Sequence, residues 1–332
     1  MSLVPHPENL MSSIRVGVVM DPIAGITPAK DSTLAMLLAA QERGHDLHYF
    51  EQIDLRLLNG EALGDGRKLR VTDDQDRWFE LGPVTKISLA EFDVLLMRKD
   101  PPFDTEYIYT TYILEQAEER GVLVVNRPAS LRDINEKAFT SWFPHCCPDT
   151  LITRSIQELK AFLEKQGKIV VKPLDGMGGQ SIFVVEKRKA NVNVIFETIT
   201  GNQTHYSMAQ RYIPEIRDGD KRIILVNGEP ANFALARIPQ GDDGRGNLVM
   251  GAIAQTRELT DRDRWICQQV GPVLKKKGVL FAGLDVIGDY LTEINVTSPT
   301  GIRELQKLAS CDLAETLFDS IEKTLRERQA SV

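Results

Sequence analysis

Residues 278–299, GVLFAGLDVIGDYLTEINVTSP, decide how the chain is read. Asp285, Glu293 and Asn295 are three oxygen-bearing side chains close together in sequence. Glu293 and Asn295 are two apart, so on a strand they share a face. Asp285 lies on the preceding apolar run, across a turn at Gly288-Asp289-Tyr290. A two-residue loop would pair 287 with 290 and put Asp285 on the opposite face. A three-residue loop pairs 287 with 291, sets Asp285 against Glu293, and leaves Leu284, Val286, Ile294 and Val296 as an apolar floor. The expectation is therefore an odd-length loop and a hard-cation site. Carboxylate and amide oxygens without His or Cys suit Mg²⁺ shared with a nucleotide phosphate. The same spacing also describes an ordinary hairpin with a solvated acidic face.

The chain has 332 residues, 42% hydrophobic and 26% charged, with a formal net charge of -7. That length predicts two or three domains. The acidic balance argues against a general nucleic-acid binder, which needs a basic face, but leaves room for a nucleotide held by a few local cations. No apolar run approaches the ~20 residues of a membrane span. Residues 1–13 lack the pattern of a secretory signal and read as a disordered extension, so a cytoplasmic setting with no membrane partner is expected. Cys146, Cys147, Cys267 and Cys311 match no zinc or C-x-x-C spacing and read as idle thiols. The five histidines are scattered singly and receive no role.

Around the decisive hairpin, Ile14 to Met20 reads as a buried strand. A helix capped at Asp31-Ser32 and stopped by Gly44 follows, then a strand from Asp46 to Phe50. This βαβ unit implies a parallel sheet. Residues 58–87 read as a hairpin excursion, Phe92 to Arg98 and Val122 to Asn126 as strands, and Thr105 to Arg120 as a helix. At the carboxyl end of the 92–98 strand stands MRKDPPFDTEY, where open α/β sheets bind ligands. It suits a carboxylate-bearing substrate or is a plain solvated loop. Neither G-x-G-x-x-G after the first strand nor a P-loop is found.

Ser130 to Trp142 reads as a helix from which Lys137 projects, and Ser155 to Gln166 as another. KIVVKPLDGMGGQSIFVV (168–185) is strand, glycine-rich turn, strand. Lys172 alternates with valines, so it either snorkels at an edge or reaches a ligand. Gly176, Gly178 and Gly179 let backbone N–H groups approach phosphate, although a tight turn also wants glycine. A helix over 191–200 and a strand over 205–213 lead to Pro214 and an interlobe linker. Asn227-Gly228 signals a hairpin between 220–226 and 229–238. On it, Arg222 and Arg237 either pair with neighbouring acids or clamp phosphate oxygens. Residues 239–256 read as a mobile loop, 260–277 and 313–328 as helices.

Seven segments carry a resemblance: VMDPI, LMRKDPPFDTEYIY, SLRDINEKAF, KPLDGMGG, DGDKR, ARIPQG and LDVIGDYLTEINVTSP. In order and proportion, from Val16 to about Arg303, they resemble the bacterial glutathione synthetases, a branch of the ATP-grasp ligases. The resemblance implies mixed α/β and α+β architecture: a Rossmann-like substrate-binding domain over 14–130, then ATP-grasp lobes over 131–214 and 215–332. It implies ATP-dependent joining of γ-glutamylcysteine and glycine through an acyl phosphate. Another ATP-grasp carboxylate–amine ligase, or an ATP-binding protein without turnover, is the alternative. By matching motifs, Lys137, Lys172 and the Gly176, Gly178, Gly179 loop would hold ATP phosphates. Gln210, Tyr212 and Ile213 would lie near adenine. Asp285, Glu293 and Asn295 would hold Mg²⁺, or Mn²⁺ in its place. Arg222 and Arg237 would hold the transferring phosphoryl group, and Arg98 and Ser298 would touch substrate. A homotetramer is also implied. One departure is VMGAIAQTREL after GRGNL, where family members carry a Gly/Arg-rich stretch. With Arg257 its only cation, it casts Arg245 as a weaker candidate than the strand arginines.

Overall fold

The structure, a computed structural model, describes residues 13–176, 181–239 and 253–330. Three sheets organise it. In the first, Asp46–Phe50, Arg15–Val19, Val94–Met97 and Leu123–Val125 run parallel. The expected excursion adds Leu55–Leu58, Glu61–Val71 and Phe79–Ser88 antiparallel on one side. The parallel strands read as continuous apolar runs because helices cover them. Asp31 caps the helix Ser32–Glu42, accepting from Leu34 N at 2.6 Å, and Asp104 caps Thr105–Glu118. The glycines of the excursion have a packing reason: a Cβ on Gly64 or Gly66 would come within 2.6 Å of the Phe50 ring.

The central sheet is antiparallel, in the order Phe183–Glu186, Lys168–Pro173, Ser207–Arg211, Thr150–Thr153. Helices Ile156–Gln166 and Val192–Ile199 cover it and close a separate core around Leu159, Leu163, Ile169, Val171 and Phe196. The third sheet runs Ile253–Glu258, Phe233–Ile238, Asp220–Val226, Phe281–Ile287, Tyr290–Asn295. It packs with helices Asp261–Lys276, Ile302–Ala309 and Leu313–Ala330.

The first and third sheets share their hydrophobic cores. Asn126 joins them: its side chain donates to the carbonyls of Phe281 and Val296 at 2.7 and 2.6 Å, and accepts from Leu280 N and Phe281 N at 2.9 Å. The last helix docks back on the first, where Arg43 meets Glu315, Asp319 and Glu322.

Three sequence expectations are corrected. The turn at 288–289 has two residues, since Ile287 pairs with Tyr290; a β-bulge then restores the expected parity and pairs Asp285 with Glu293. The extra residue Thr292 turns its hydroxyl to the carbonyl of Asp285 at 3.1 Å. A bulge can shift register wherever it falls along a strand, so loop length alone did not decide the face. Second, 130–142 is not one helix. Pro128–Asp133 is α-helical and Ala138–Trp142 is 3₁₀. Between them Asn135 Oδ1 accepts from Lys137 N and Ala138 N at 3.0 and 2.9 Å, a local bond that competes with the helix ladder. Third, the loop expected over 239–256 gives way at its end to an edge strand, Ile253–Glu258, against Phe233–Ile238. Its polar composition hid it. The helix Ile302–Ala309 was not expected. Gly178, Gly179, Arg245 and all of the extension but Ser13 lie outside the described residues.

Candidate active site

The bulged hairpin places Asp285, Glu293 and Asn295 on one face, with Asn295 Nδ2 3.3 Å from Asp285 Oδ2. Arg222 is opposite Asp285 in the neighbouring strand and donates from Nε and Nη2 to its two oxygens at 2.5 and 2.9 Å. Such a two-point bond fixes both planes. Gly283 permits it, because a Cβ there would stand 2.8 Å from Arg222 Cδ. Arg237 reaches Asp285 at 3.0 Å and Asp220 at 2.5 Å. Its Nε is buried with no hydrogen-bond partner among the described residues.

The central lobe approaches from the other side. Lys172 donates to Glu293 Oε1 at 3.2 Å and to Thr292 O at 3.3 Å. Lys137 pairs with Glu136, donates to Gly176 O at 2.6 Å and lies 3.9 Å from Glu293 Oε1. Lys137, Lys172, Arg222, Arg237 and Asp285 are all buried. Four cations thus face four carboxylates, those of Glu136, Asp220, Asp285 and Glu293. Lys172, Arg222 and Arg237 are each buried and paired with an acid, and none snorkels.

Each carboxylate answers to its surroundings. Burial pushes Asp285 up, but Arg222 and Arg237 outweigh it and hold the group well below the usual carboxylate range. Glu293 is also lowered, with burial opposing and Lys172 and Lys137 prevailing. Burial pushes Asp220 up to about 6 although Arg237 pulls the other way; Asp285 and Glu293 add to the rise. Glu136 is raised by burial and by Glu293. Burial opposes the charge on Lys137, yet Glu293 and Glu136 raise its pKa.

Gln210 pairs with Val170, and Met208 with Lys172, so Gln210 and Lys172 share a sheet face. Gln210 is buried and donates to Thr150 Oγ1 at 3.1 Å. Tyr212 lies under Lys168, 4.2 Å from Nζ to ring centroid. Ile213 is buried and precedes the 3₁₀ turn Pro214–Asp218.

Arg98 and Ser298 form a neighbouring group and do not bond the cluster directly. Arg98 is buried and donates to Thr33 Oγ1 and Pro299 O, each at 3.1 Å; Ser298 Oγ donates to Arg98 O at 3.3 Å. Arg222 Nη1 meets the next carbonyl, Thr300 O, at 3.4 Å. Segment 298–300 therefore links both groups.

Glu136 and Asp220 were missed in the sequence. Asp220 had a signal: it is two before Arg222 on one strand, hence on the same face. Glu136 had only adjacency to Lys137.

Two ionised carboxylates and an amide make a hard oxygen set of the kind that holds Mg²⁺. The lysines and arginines beside it are cations of the kind that neutralise phosphate in phosphoryl transfer. The description of the prokaryotic glutathione synthetase N-terminal domain matches residues 14–132, and that of its ATP-grasp domain matches 136–310. The glutathione synthetase of Escherichia coli (strain K12) is 55% identical over 315 residues, covering 95% of this chain and 100% of that protein. That of Coxiella burnetii (strain RSA 493 / Nine Mile phase I) is 56% identical over 302 residues, covering 91% and 94%. Among solved structures, a D-cycloserine synthetase superposes with a TM-score of 0.67 at 11% identity, covering 94% of this chain and 99% of that one. D-alanine–D-alanine ligase from Bacillus anthracis complexed with ATP gives 0.56 at 15%, covering 97% and 100%. At such identities these two speak for the fold, which is ATP-grasp. The chain belongs to the prokaryotic glutathione synthetase family.

Proposed function

We propose that this ATP-dependent ligase makes glutathione from γ-glutamylcysteine and glycine at the cluster of Lys137, Lys172, Arg222, Arg237, Asp285, Glu293 and Asn295. The observation that carries the reading is the bulged hairpin, which turns its three oxygen ligands toward cations supplied by both lobes. A carboxylate becomes an acylating group only when one of its oxygens becomes a leaving group. The γ-phosphoryl of ATP passes to a cysteinyl carboxylate oxygen and ADP departs. The glycine nitrogen then bonds the acyl carbon, the C–O bond to phosphate breaks, and the amine proton leaves to solvent. Positioning and charge neutralisation supply most of the catalysis in phosphoryl transfer, and no protein nucleophile is needed.

The residues fit these groups. Asp285, Glu293 and Asn295 would hold Mg²⁺, or Mn²⁺, which supplies charge neutralisation at the phosphates. Lys137 and Lys172 exchange carboxylate for nucleotide phosphate, assisted by the Gly176–Gly179 loop. Gln210, on the strand Ser207–Arg211 next to that of Lys172, and Tyr212 and Ile213, just past its end, take the adenine side. Arg222 and Arg237 hold the transferring phosphoryl group; Arg237 Nε, without a partner among the described residues, is the donor a phosphoryl oxygen would satisfy. Arg98 and Ser298 hold γ-glutamylcysteine from the N-terminal side. Functional units over 14–130, 131–214 and 215–332 follow from this division of labour. A cytoplasmic homotetramer belongs to the same proposal. Free thiols at all four cysteines accord with a reducing compartment.

The test is glutathione formation by the purified chain with ATP, Mg²⁺, γ-glutamylcysteine and glycine. Product that needs all four supports the reading; ATP binding without product from γ-glutamylcysteine and glycine overturns it.

A further inference from the structure

Resting on that reading, we infer that Tyr107 is a second donor in the seat of γ-glutamylcysteine, its hydroxyl joining Arg98 on the glutamyl α-carboxylate. Tyr107 stands in the first turn of Thr105–Glu118, where Asp104 Oδ1 accepts from its backbone N at 2.8 Å. Its ring packs on Phe103 with centroids 5.1 Å apart. Its hydroxyl is buried with no hydrogen-bond partner among the described residues. His45, His48, Asp220, Arg237, Arg303 and Glu304 also have one such atom, but each carries a further polar atom on the same side chain. Tyrosine has only the hydroxyl. A buried donor is costly to leave unpaired, so one that persists marks a bound water or a partner that arrives with the ligand.

Arg98 has the matching deficit in charge. Lys137, Lys172, Lys221, Arg222 and Arg237 are buried, and each pairs with a carboxylate. Arg98 is equally buried. Its guanidinium bonds Thr33 Oγ1 and Pro299 O and lies 5.7 Å from the Phe281 centroid, and it pairs with no carboxylate among the described residues. A buried cation without a counter-ion is costly. Arg98 and Asp100 are the charges that act on the Tyr107 phenol, while burial, the larger influence, pushes its pKa up. The phenol therefore keeps its proton and can donate. A guanidinium without an acid and a phenol without an acceptor together describe the seat of an anion.

Position selects the anion. Arg98 follows Val94–Met97 at the carboxyl end of the parallel sheet, where open α/β sheets bind ligands. Pro299 O takes Arg98 and the next carbonyl, Thr300 O, takes Arg222, so this seat adjoins the phosphoryl site without being part of it. γ-Glutamylcysteine carries two carboxylates. Under the proposed function the cysteinyl one is consumed at Arg222 and Arg237, which leaves the glutamyl α-carboxylate for Arg98 and Tyr107. Asp31 and Asp100 are the acids within electrostatic reach of Arg98, and both suit the ammonium group beside that carboxylate. Residues 99–104 join the two donors and are exposed or half-buried throughout. A carboxylate that enters past them meets both donors away from water, where hydrogen bonds to charge are strong.

The experiment uses Tyr107→Phe, which removes the hydroxyl and keeps the ring. Two donors are compared: γ-glutamylcysteine, and γ-aminobutyryl-cysteine, which lacks only the α-carboxylate. KM for γ-glutamylcysteine is expected to rise about tenfold, the weight of one hydrogen bond to a charged group, with kcat and KM for ATP moving far less. The inhibition constant of γ-aminobutyryl-cysteine against the natural donor should be the same in variant and wild type. The denaturant midpoint of the free variant should match or exceed the wild-type value, because no bond is lost until substrate binds. An unchanged KM for γ-glutamylcysteine overturns the inference. A lower midpoint does so too, since the hydroxyl would then already be bonded in the free chain. An equal loss of affinity for γ-aminobutyryl-cysteine moves the hydroxyl away from the α-carboxylate and likewise overturns it. These outcomes leave glutathione formation by the wild-type chain intact; its absence would instead overturn the functional reading, and the role of Tyr107 with it.

Discussion

Asn126 and Glu293 stand at two seams of one molecule and hold them by different means. At Asn126 the first and third sheets meet through shared apolar cores and one buried amide that satisfies four backbone groups. At Glu293 the four-stranded central sheet meets the third sheet through charge, by Lys172, and Lys137 of the preceding segment adds to it. That segment also packs Phe139, Phe143 and Cys146 into the core of the third sheet, whereas the central sheet keeps its own core. A seam built of apolar burial has no reason to open. A seam built of buried ion pairs is costly to desolvate, and under the proposed function its partners are taken over by nucleotide and metal. The seam that can exchange partners is the one at which the chemistry is proposed.

The largest effect should come from breaking the charged seam. Glu293→Gln removes a charge without changing volume, and turnover should fall by roughly 10²–10³, the loss typical of one transition-state electrostatic group. The melting temperature should fall as well, because Lys172 is left buried without its acid partner, so turnover is measured at a temperature where the variant is fully folded. Near wild-type turnover at ordinary Mg²⁺ would break the assignment. Asn126→Ala attacks the apolar seam and should do the converse. It strands buried backbone groups at about 1–3 kcal/mol each, so the denaturant midpoint should drop markedly while KM for ATP stays put.

Leu163→Ala sharpens the contrast from inside the central lobe. It should cost about 2–5 kcal/mol, and limited proteolysis should then cut within 150–211 before it cuts the first or third sheet. Simultaneous cutting throughout would show that the central lobe has no independent stability.

How much of this was legible in the sequence follows the same division. The apolar strands and capped helices of the first sheet could be read directly, because burial there imposes continuous hydrophobic runs and Asp31 supplies a cap. The shared face of Asp285, Glu293 and Asn295 on the decisive hairpin was readable from side-chain parity, and it was reached with the wrong loop. The Thr292 bulge has no compositional mark. The break at Asn135 was illegible because SLRDINEKAF carries good helix formers; an asparagine's bond to nearby backbone decides it. Arg222 and Arg237 were legible as charged positions, but their sharing of Asp285 depends on register between strands far apart in sequence.

The smallest effect expected is in pH dependence. Asp220, pushed up to about 6 by burial, is ionised above that pH and then orients Arg237. Activity should fall as pH drops through about 6, and Asp220→Asn should remove that limb. Because its folded pKa is raised, whatever stability this group contributes is present at low pH and is lost as pH rises through about 6. Asp285 has the opposite sign: its lowered pKa contributes stability above the usual carboxylate range, lost only in strong acid. A pH–rate profile of the wild-type chain and Asp220→Asn reads the activity limb, and their denaturant midpoints against pH read the stability contribution.

The most direct test of the central claim, that a carboxylate is activated by phosphoryl transfer at this seam, follows an oxygen atom. γ-Glutamylcysteine labelled with ¹⁸O in its cysteinyl carboxylate is turned over with ATP, Mg²⁺ and glycine, and the released phosphate is analysed by mass. Transfer of one labelled oxygen into each phosphate, matched by glutathione formed, is the expected result. Phosphate free of label, with glutathione still formed, would contradict the account, because the carboxylate would then have been activated without ever bonding the phosphoryl group.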